Sequence, residues 1–133
     1  MKNDKAVRLA AVAPVTACKP QLFEGTRRYY ATGDVGPEGE LSEPKQVTFD
    51  ERPSRAGCMP VKGDVGFARM KGTKKVVEVT EAVAGSLFST GFCFLSPFQE
   101  IDPRFLFYFL VTDEFQGAKD VVAGDGIMGG GQE

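Results

Sequence analysis

The chain has 133 residues, of which 42% are hydrophobic and 11 are Phe, enough apolar material for one domain with its own core. No run of about 18 apolar residues is present, which excludes a membrane-spanning helix. The three Cys have no C-x-x-C spacing and there is no His, so common zinc sites are excluded and a reduced, cytoplasmic protein without metal or other cofactor is favoured.

Charge is distributed unevenly along the chain. The formal net charge is −2, but residues 1–75 hold 14 Lys and Arg against 9 Asp and Glu, whereas residues 76–133 hold 2 against 9. Because phosphate neutralisation depends on the face presented to a duplex, an acidic rear half is compatible with DNA binding. It argues against tight non-specific binding by this chain alone.

The first 60 residues contain few regular patterns. Residues 8–15 predict a short helical turn that ends near Pro14, because a proline disfavours helix in the residue before it. Residues 25–60 are dense in Gly, Pro and charge and predict a long irregular excursion, a kind of loop that is usually functional or disordered. Near its start, Arg27, Arg28 and Tyr29 combine basic and aromatic side chains, a composition suited to lying on a phosphate backbone.

The segment 61–79 predicts a β-hairpin. After a Gly-Asp turn, residues 65–70 alternate larger and smaller side chains with the period of two that is typical of a half-buried strand. Residues 71–74 predict the hairpin tip. Residues 76–79 then predict the return strand, with Glu78 facing outward.

The rear half predicts one strand and two helices. Residues 87–95 are apolar and aromatic between Gly85 and Pro97, which is typical of a central strand covered on both faces. Asp102 predicts the cap of a helix that begins at Pro103, because Asp accepts hydrogen bonds from unpaired N–H groups and Pro loses nothing at the first helical position.

The first helix carries an apolar stripe that predicts a core-facing side. The stripe consists of Phe105, Leu106, Phe109 and Leu110. Asp113 predicts the cap of a second short helix that ends at Gly124. Residues 124–133 predict a flexible, glycine-rich tail.

The strongest functional candidates are the cations of the hairpin tip. Four of them lie within seven positions around Gly72 and Thr73: Arg69, Lys71, Lys74 and Lys75. A protruding positive tip can contact phosphates through its lysines while Arg69 reaches a base edge. The alternative for the same pattern is an ordinary solvated hairpin whose lysines serve solubility.

Catalytic interpretations find less support in the sequence. Three side chains are capable of acting as nucleophiles: Ser86, Ser89 and Thr90. The sequence has no His to act as their base and no Gly-x-Ser-x-Gly motif. Asp34 and Asp64 have no partner at a ligand spacing and are interpreted as turn residues that bond their own backbone. We interpret the cysteines as small packing residues: Cys18, Cys58 and Cys93.

Five blocks occur in a specific order along the chain. They are Arg-Leu-Ala-Ala-Val-Ala at 8–13, Arg-Tyr-Tyr-Ala-Thr-Gly-Asp-Val at 28–35, Lys-Gly-Asp-Val-Gly-Phe-Ala-Arg at 62–69, Ser-Thr-Gly-Phe with Leu95 and Pro97 at 89–97, and an Asp-Pro followed by Phe-Tyr-Phe-Leu at 102–110. In this order they resemble the target recognition domain of the specificity subunits of type I restriction-modification systems. The order and spacing carry the resemblance, which covers nearly the whole chain.

The resemblance implies an α+β fold like that of the DNA methylase specificity domain. It implies a single domain over residues 1–123, with a curved mixed β-sheet and flanking helices. It further implies sequence-specific recognition of double-stranded DNA by a non-catalytic component, with methyltransferase and restriction subunits as partners that carry methylation and cleavage. The expected DNA contacts are Arg69, Lys71, Thr73, Lys74, Lys75, Arg27, Arg28 and Tyr29.

The sequence also departs from that family. A full specificity subunit carries two such domains separated by long helices, whereas this sequence contains one and ends in a Gly-rich stretch, in which Gln132 corresponds to the family's Gly-x-x-Gln block. Two other functions stay open. One is a protein-interaction module that keeps the fold but has lost DNA reading, which the overall acidity favours. The other is a small hydrolase, which the lack of His disfavours.

Overall fold

A computed structural model of the protein describes residues 13–124. In chain order these residues form β1 (Thr26–Tyr30), a 3-10 helix (Thr32–Asp34), β2 (Lys45–Thr48), β3 (Val65–Ala68), β4 (Val76–Glu78), β5 (Leu87–Phe88), β6 (Phe92–Leu95), α1 (Pro103–Leu110) and α2 (Asp113–Gly124). Most of the predicted turn at residues 8–15 and the predicted tail beyond Gly124 lie outside the described residues.

The strands of residues 13–124 divide into two three-stranded sheets. In the first, with the order β2-β1-β5, β1 pairs antiparallel with β2 and parallel with β5. The second, with the order β4-β3-β6, is antiparallel throughout. The predicted α+β class is confirmed. The prediction of one mixed sheet was wrong, because the strands are shared between two sheets and only the first is mixed.

The apolar run at residues 87–95 passes from one sheet to the other. Its first part is β5 in the first sheet, and its last part is β6 in the second. Between them the chain turns, with the Phe92 N–H donating to the Ser89 carbonyl at 3.1 Å. The prediction of one continuous central strand was therefore wrong. A continuous central strand and two short buried strands have the same apolar pattern, so periodicity does not separate them.

The predicted irregular excursion at residues 25–60 contains two strands. Arg27 pairs with Val47 and Tyr29 with Lys45, so β1 and β2 form a regular antiparallel ladder. Tyr29 and Tyr30 are both buried, and they belong to core clusters on opposite faces of the sheet. Aromatic residues favour such a pleated, covered surface, which explains why this Gly- and Pro-rich segment still contributes the central strand β1.

Three apolar clusters form the core. The first lies between the two sheets and contains aromatic rings from both, with Phe88 stacked on Tyr30 and in edge contact with Phe94, each at 5.3 Å between ring centroids. The second joins the opposite face of the β3 sheet to α1. The third lies under the segment that contains Phe23, Ala56 and Met59. Each sheet is therefore covered on both faces.

Because its sheet is covered on both faces, β3 is buried more completely than the sequence pattern predicted. All four of its residues are buried, whereas the alternating pattern predicted a half-buried strand. Close packing requires a glycine at position 66 of this strand. A Cβ at this position would lie 2.5 Å from the ring of Phe94, so any larger residue would displace an aromatic ring of the central cluster.

The predicted hairpin and first helix are confirmed. β3 and β4 pair antiparallel on either side of the tip. Asp102 caps α1 by accepting a hydrogen bond from the Arg104 N–H at 2.9 Å, directly before Pro103. α2 begins at Asp113, but the predicted cap was wrong by one residue. The Thr112 hydroxyl oxygen accepts from the Phe115 N–H at 3.1 Å, so Thr112 is the capping residue.

The predicted apolar stripe of α1 was only partly correct. Leu106 and Leu110 are buried, but Phe105 is 68% exposed and Phe107 is buried in its place. Phe109 is half-buried, with its ring 5.8 Å from that of Phe115. The helix turns its Leu106, Phe107 and Leu110 side towards the β3 sheet, a choice of face that a helix apolar on most sides does not reveal by periodicity.

The cysteines differ from the prediction. Cys18 and Cys58 form a disulfide with their Cα atoms 4.9 Å apart, so the prediction that both are reduced packing residues was wrong. The disulfide joins the segment before β1 to residues that form a β-bridge with Phe88. Cys93 is free and buried, and burial raises the pKa of its thiol, as expected for a packing residue.

The register of α1 is testable with one buried and one exposed position. Leu110→Ala removes a side chain that is 0% exposed, so we expect the free energy of unfolding to fall by about 2 to 5 kcal/mol. Phe105→Ala, on the exposed side, is the matched control and should change it by no more than about 0.5 kcal/mol. Urea unfolding measures both, and equal losses in the two variants would contradict this register.

The disulfide is expected to contribute to stability because it closes a loop whose ends are 40 residues apart. Replacing both Cys18 and Cys58 with Ser should lower the free energy of unfolding by about 2 to 4 kcal/mol. Chemical denaturation with and without a phosphine reductant gives the same comparison in the parent. The control Cys93→Ala keeps both cysteines of the disulfide, so reductant should still lower its free energy of unfolding. A denaturation midpoint that is the same in oxidised and reduced protein would show that the disulfide does not stabilise the fold.

Candidate nucleic-acid interface

The hairpin tip between β3 and β4 presents the cations that the sequence indicates. Lys71 and Lys74 are exposed, and neither forms an ion pair within residues 13–124. The loop closes through hydrogen bonds from the Ala68 N–H to the Lys75 carbonyl at 3.0 Å and from the Thr73 N–H to the Met70 carbonyl at 3.2 Å. The tip is thus a short structured turn with two lysines directed to solvent.

Helix α2 holds this tip from one side. The Lys119 ammonium donates to the carbonyls of Met70 and Thr73 at 2.7 and 2.9 Å, and it pairs with the Asp120 carboxylate at 3.0 Å. That carboxylate also accepts from the Gly72 N–H at 3.0 Å. Lys119 is only 3% exposed, and its three N–H donors match three acceptors. Its buried charge is fully compensated, which the large cost of an unpaired buried ion requires.

The base of the hairpin contacts the end of β1 and the turn after β5. The Lys75 ammonium donates to the Thr32 carbonyl at 2.7 Å, in the 3-10 helix. The Arg69 backbone N–H donates to the Gly91 carbonyl at 2.9 Å, and its side-chain Nε donates to the Phe92 carbonyl at 3.2 Å. The hairpin is therefore attached at its base to both sheets and at its tip to α2.

A group of polar side chains lies where these elements meet, and we call it the junction cluster. It consists of Tyr29, Thr32, Arg55, Ser89 and the backbone of Gly91. The Ser89 hydroxyl oxygen accepts from the Gly91 N–H at 3.0 Å and from the Thr32 hydroxyl at 3.3 Å, with the Arg55 guanidinium 3.5 Å away. Ser89 itself is buried, so it organises the cluster from below.

Tyr29 forms the apolar floor of the junction cluster. Burial raises the pKa of its phenol, while a hydrogen bond with the Ser89 side chain and the positive charge of Arg55 oppose that rise. The phenol therefore stays protonated and neutral near neutral pH. The ring is 7% exposed, so the aromatic residue predicted to contact DNA is part of the core, with its hydroxyl directed at Ser89.

Arg27 and Arg28 lie apart from the hairpin. The Arg27 guanidinium donates to the Gly85 carbonyl at 3.3 Å and lies 5.2 Å from the ring centroid of Phe23. Gly85 precedes β5, whereas the junction cluster follows it, and three residues of a strand span about 10 Å. Both arginines are half-buried. Of the predicted contact residues, the structure brings Arg69, Lys71, Thr73, Lys74 and Lys75 together in the hairpin, whereas Arg27 and Arg28 belong to β1.

The two Asp residues of the Gly-Asp pairs have the structural role that was predicted. The Asp34 carboxylate accepts from the Ala31 N–H at 2.9 Å. The Asp64 carboxylate accepts from the Val61 N–H at 3.0 Å and from the Ser96 hydroxyl at 2.6 Å. Among residues 13–124, no group of three or more His, Cys, Asp or Glu is placed to hold a metal ion. In the same part of the chain, no helix is long and apolar enough to cross a membrane.

Sequence reasoning missed Thr32, Arg55, Ser89 and Gly91 as members of a common site. Ser89 and Thr32 are 57 positions apart, and Ser89 and Arg55 are 34 apart. Arg55 stands alone between Pro and Gly residues, with no second cation within two positions. The local signals are the Ser-Thr-Gly triplet at 89–91 and the segment around Thr32, which belong to two blocks of the family resemblance.

Solved structures share this fold over most of the chain. The HsdS subunit from Thermoanaerobacter tengcongensis matches with a TM-score of 0.67 at 26% sequence identity, covering 77% of this chain and 28% of its own. A chain from a structure that concerns complex assembly and conformational transition of the type I R-M system matches with a TM-score of 0.68 at 26% identity, covering 79% and 28%. No protein-family model and no curated protein sequence matches.

These matches confirm the predicted resemblance to the specificity subunits of type I restriction-modification systems. The chain spans about 28% of the length of each matched chain, so the likeness concerns one part of those proteins.

The hydrogen bond from the Gly72 N–H to the Asp120 carboxylate, which we call the anchor of the hairpin tip, should be lost when acid protonates Asp120. The hydrogen bond from the Gly72 N–H, followed by that from Lys119, holds the pKa of Asp120 below its ordinary value of about 3.9. A lowered pKa in the folded state means that the anchor stabilises fully above about pH 4 and is lost as the pH falls through the lowered value. We expect the Gly72 amide resonance to be constant above about pH 4 and to shift below it.

Two variants make this titration specific. In Asp120→Asn the acid-induced shift at Gly72 should disappear, whereas in Asp113→Asn, a change of an exposed acid on the same helix, it should persist. NMR spectra collected as a pH series measure all three proteins. A midpoint at or above the ordinary value for Asp, or a shift that survives in Asp120→Asn, would contradict the anchor.

Proposed function

We propose that this chain recognises double-stranded DNA sequence as part of a type I restriction-modification specificity subunit. In this proposal it is cytoplasmic and has no catalytic activity, and it directs partner subunits that methylate and cleave DNA. The observation that carries the proposal is the likeness to HsdS over 77% of the chain, combined with a cationic hairpin held on a fixed base.

The hairpin supplies two kinds of contact in this proposal. Lys71 and Lys74 are exposed at the tip and neutralise phosphates of the DNA backbone. Arg69 and Thr73 face base edges in a groove. The hydrogen bond from Arg69 to the Phe92 carbonyl orients the guanidinium before DNA arrives, and a pre-oriented guanidinium loses less entropy when it binds a guanine edge.

The other predicted contact residues take supporting positions. Lys75 lies at the base of the hairpin, and its bond to the Thr32 carbonyl holds the hairpin against the end of β1. In this proposal Arg27 and Arg28 of β1 contact the DNA backbone. Tyr29 supports Ser89 from the core instead of touching DNA. The alternative, a protein-interaction module that has lost DNA reading, rests on the overall acidity alone, and the likeness to HsdS does not favour it.

The charge distribution supports weak binding by the isolated chain. The rear half contains two cations, and both are already used: Arg104 pairs with Glu78 at 2.7 Å and Lys119 holds the hairpin tip. Phosphate contacts must therefore come from the front half. We expect a Kd for duplex DNA that is roughly micromolar or weaker at physiological salt.

The lysines of the tip are tested by the salt dependence of binding. The double variant Lys71→Ala with Lys74→Ala should bind every duplex more weakly and reduce the slope of log K against log salt by about two ion equivalents, since each released phosphate contact contributes about 0.9. Fluorescence anisotropy with a labelled duplex measures both quantities. Neither lysine bonds to other described residues, so the fold should be unaffected.

The matched control is Lys62→Ala. Lys62 is exposed before β3, at the opposite end of that strand from the hairpin tip, and among residues 13–124 its one ion pair is with Glu81 at 3.3 Å. Its removal changes the net charge by one without touching the proposed interface, so the slope should stay as in the parent. An unchanged slope in the double variant, or an equal loss in Lys62→Ala, would remove the hairpin from the interface.

A further inference from the structure

We infer that Arg55, together with Thr32 and the turn at Ser89–Gly91, forms a binding site for a phosphodiester group. The inference rests on the proposed function for its ligand, the backbone of duplex DNA. It adds a site that lies outside the hairpin and is centred on Arg55, a residue that no sequence pattern indicated.

The backbone of Arg55 is fixed although its side chain is exposed. The Thr90 N–H donates to the Arg55 carbonyl at 2.9 Å, and the next residue, Ala56, donates to Pro53 at the same distance. Two residues later, Cys58 forms a β-bridge with Phe88 and the disulfide with Cys18. Arg55 thus projects from a segment attached to the first sheet, and its position does not depend on a flexible loop.

The guanidinium approaches a point that only glycine leaves open. A Cβ on Gly91 would lie 2.9 Å from Arg55 Nη2 and 3.0 Å from the Thr32 hydroxyl oxygen. Any side chain at position 91 would therefore push both groups away. Glycine here lets one guanidinium and two hydroxyls, those of Thr32 and Ser89, converge beside the same turn.

The charge of Arg55 is not neutralised by the protein. No carboxylate among residues 13–124 lies within ion-pair distance of Arg55, and its guanidinium has one long contact, 3.5 Å to Ser89. A guanidinium has five N–H donors. The Asp34 carboxylate, whose charge acts on Tyr29 of the cluster, accepts a hydrogen bond from the Ala31 N–H. Most donors of a positioned cation are thus available to an outside acceptor.

A phosphodiester group fits this arrangement. Its two non-bridging oxygens can accept two parallel N–H bonds from the Arg55 guanidinium. The site also shares the Gly91 turn with the hairpin, because the Arg69 N–H donates to the Gly91 carbonyl. A duplex that lies on the hairpin tip would pass beside this turn, so its backbone is the phosphate source that the geometry favours.

The test compares duplex binding by the parent, Arg55→Ala, Arg55→Lys and the control Lys62→Ala. We expect Arg55→Ala to weaken binding about tenfold and to lower the salt slope by about one ion equivalent. Arg55→Lys should keep the slope but lose affinity, because it retains the charge without the paired donors. Lys62→Ala should match the parent in both quantities. A parent-like slope and affinity in Arg55→Ala would overturn the site while leaving the hairpin interface intact.

A second variant and a second probe separate this inference from the proposed function. Gly91→Ala keeps every charge but requires the Arg55 guanidinium and the Thr32 hydroxyl to shift, so it should lower the affinity for duplex less than Arg55→Ala does and should keep the parent's salt slope. If circular dichroism shows that Gly91→Ala does not fold, the result with Arg55→Ala decides whether the phosphodiester site exists. Inorganic phosphate titrated into the parent should shift the NMR resonances of the Arg55 Nε–H and of the Thr32 and Gly91 amides, and not in Arg55→Ala. A parent that binds no duplex overturns the proposed function; phosphate shifts would then still support the site, and their absence would overturn it.

Discussion

The passage of the chain from the first sheet to the second, at residues 89–91, is the constraint on which the rest of the structure depends. Before this turn, Phe88 pairs with Tyr30 in the first sheet; after it, Phe92 pairs with Ala68 in the second. The rings on either side pack into one cluster between the sheets, where Phe88 lies 5.3 Å from Phe94. Burial of these rings is the dominant favourable term that holds the sheets together. Because the turn is fixed by that packing, every group bonded to it is fixed as well.

The groups bonded to the turn include those to which our proposals assign DNA contacts. The Gly91 carbonyl accepts from Arg69, the Thr90 N–H donates to the segment of Arg55, and Ser89 bonds to Thr32. Polar groups on rigid backbone are more precise than those on free loops, since less entropy is lost when a ligand orders them. The apolar cluster between the sheets thus fixes the positions of the polar groups in the junction cluster.

The uneven charge of the chain has a structural explanation. The acidic rear half holds the hairpin in place through α2. The buried Lys119 bonds to the Met70 and Thr73 carbonyls, and Asp120 bonds to the Gly72 amide. An acid near the tip that we propose to bind phosphates carries an electrostatic cost, but here the carboxylate is already paired with Lys119 at 3.0 Å. The tip therefore presents two outward lysines on a loop whose backbone is held by hydrogen bonds to α2.

The sequence by itself determined the features that depend on near neighbours in the chain. The Asp102 cap bonds to a residue two positions away, the hairpin closes across a few residues, and Asp34 bonds back to Ala31. Such contacts carry local signatures in residue type and spacing. The order of the blocks also indicated the family likeness that the solved structures confirm.

Only the tertiary structure decided the partners that are distant along the chain. It divided residues 87–95 between two sheets, joined Cys18 to Cys58 across 40 positions, and brought Lys119 to Met70 across 49. It also turned Phe105 of α1 to solvent and Phe107 to the core. An apolar run or a lone arginine is compatible with several environments, and the choice among them is made by which surfaces pack together. Local preferences do not encode that choice, because its energy comes from burial shared between segments far apart in sequence.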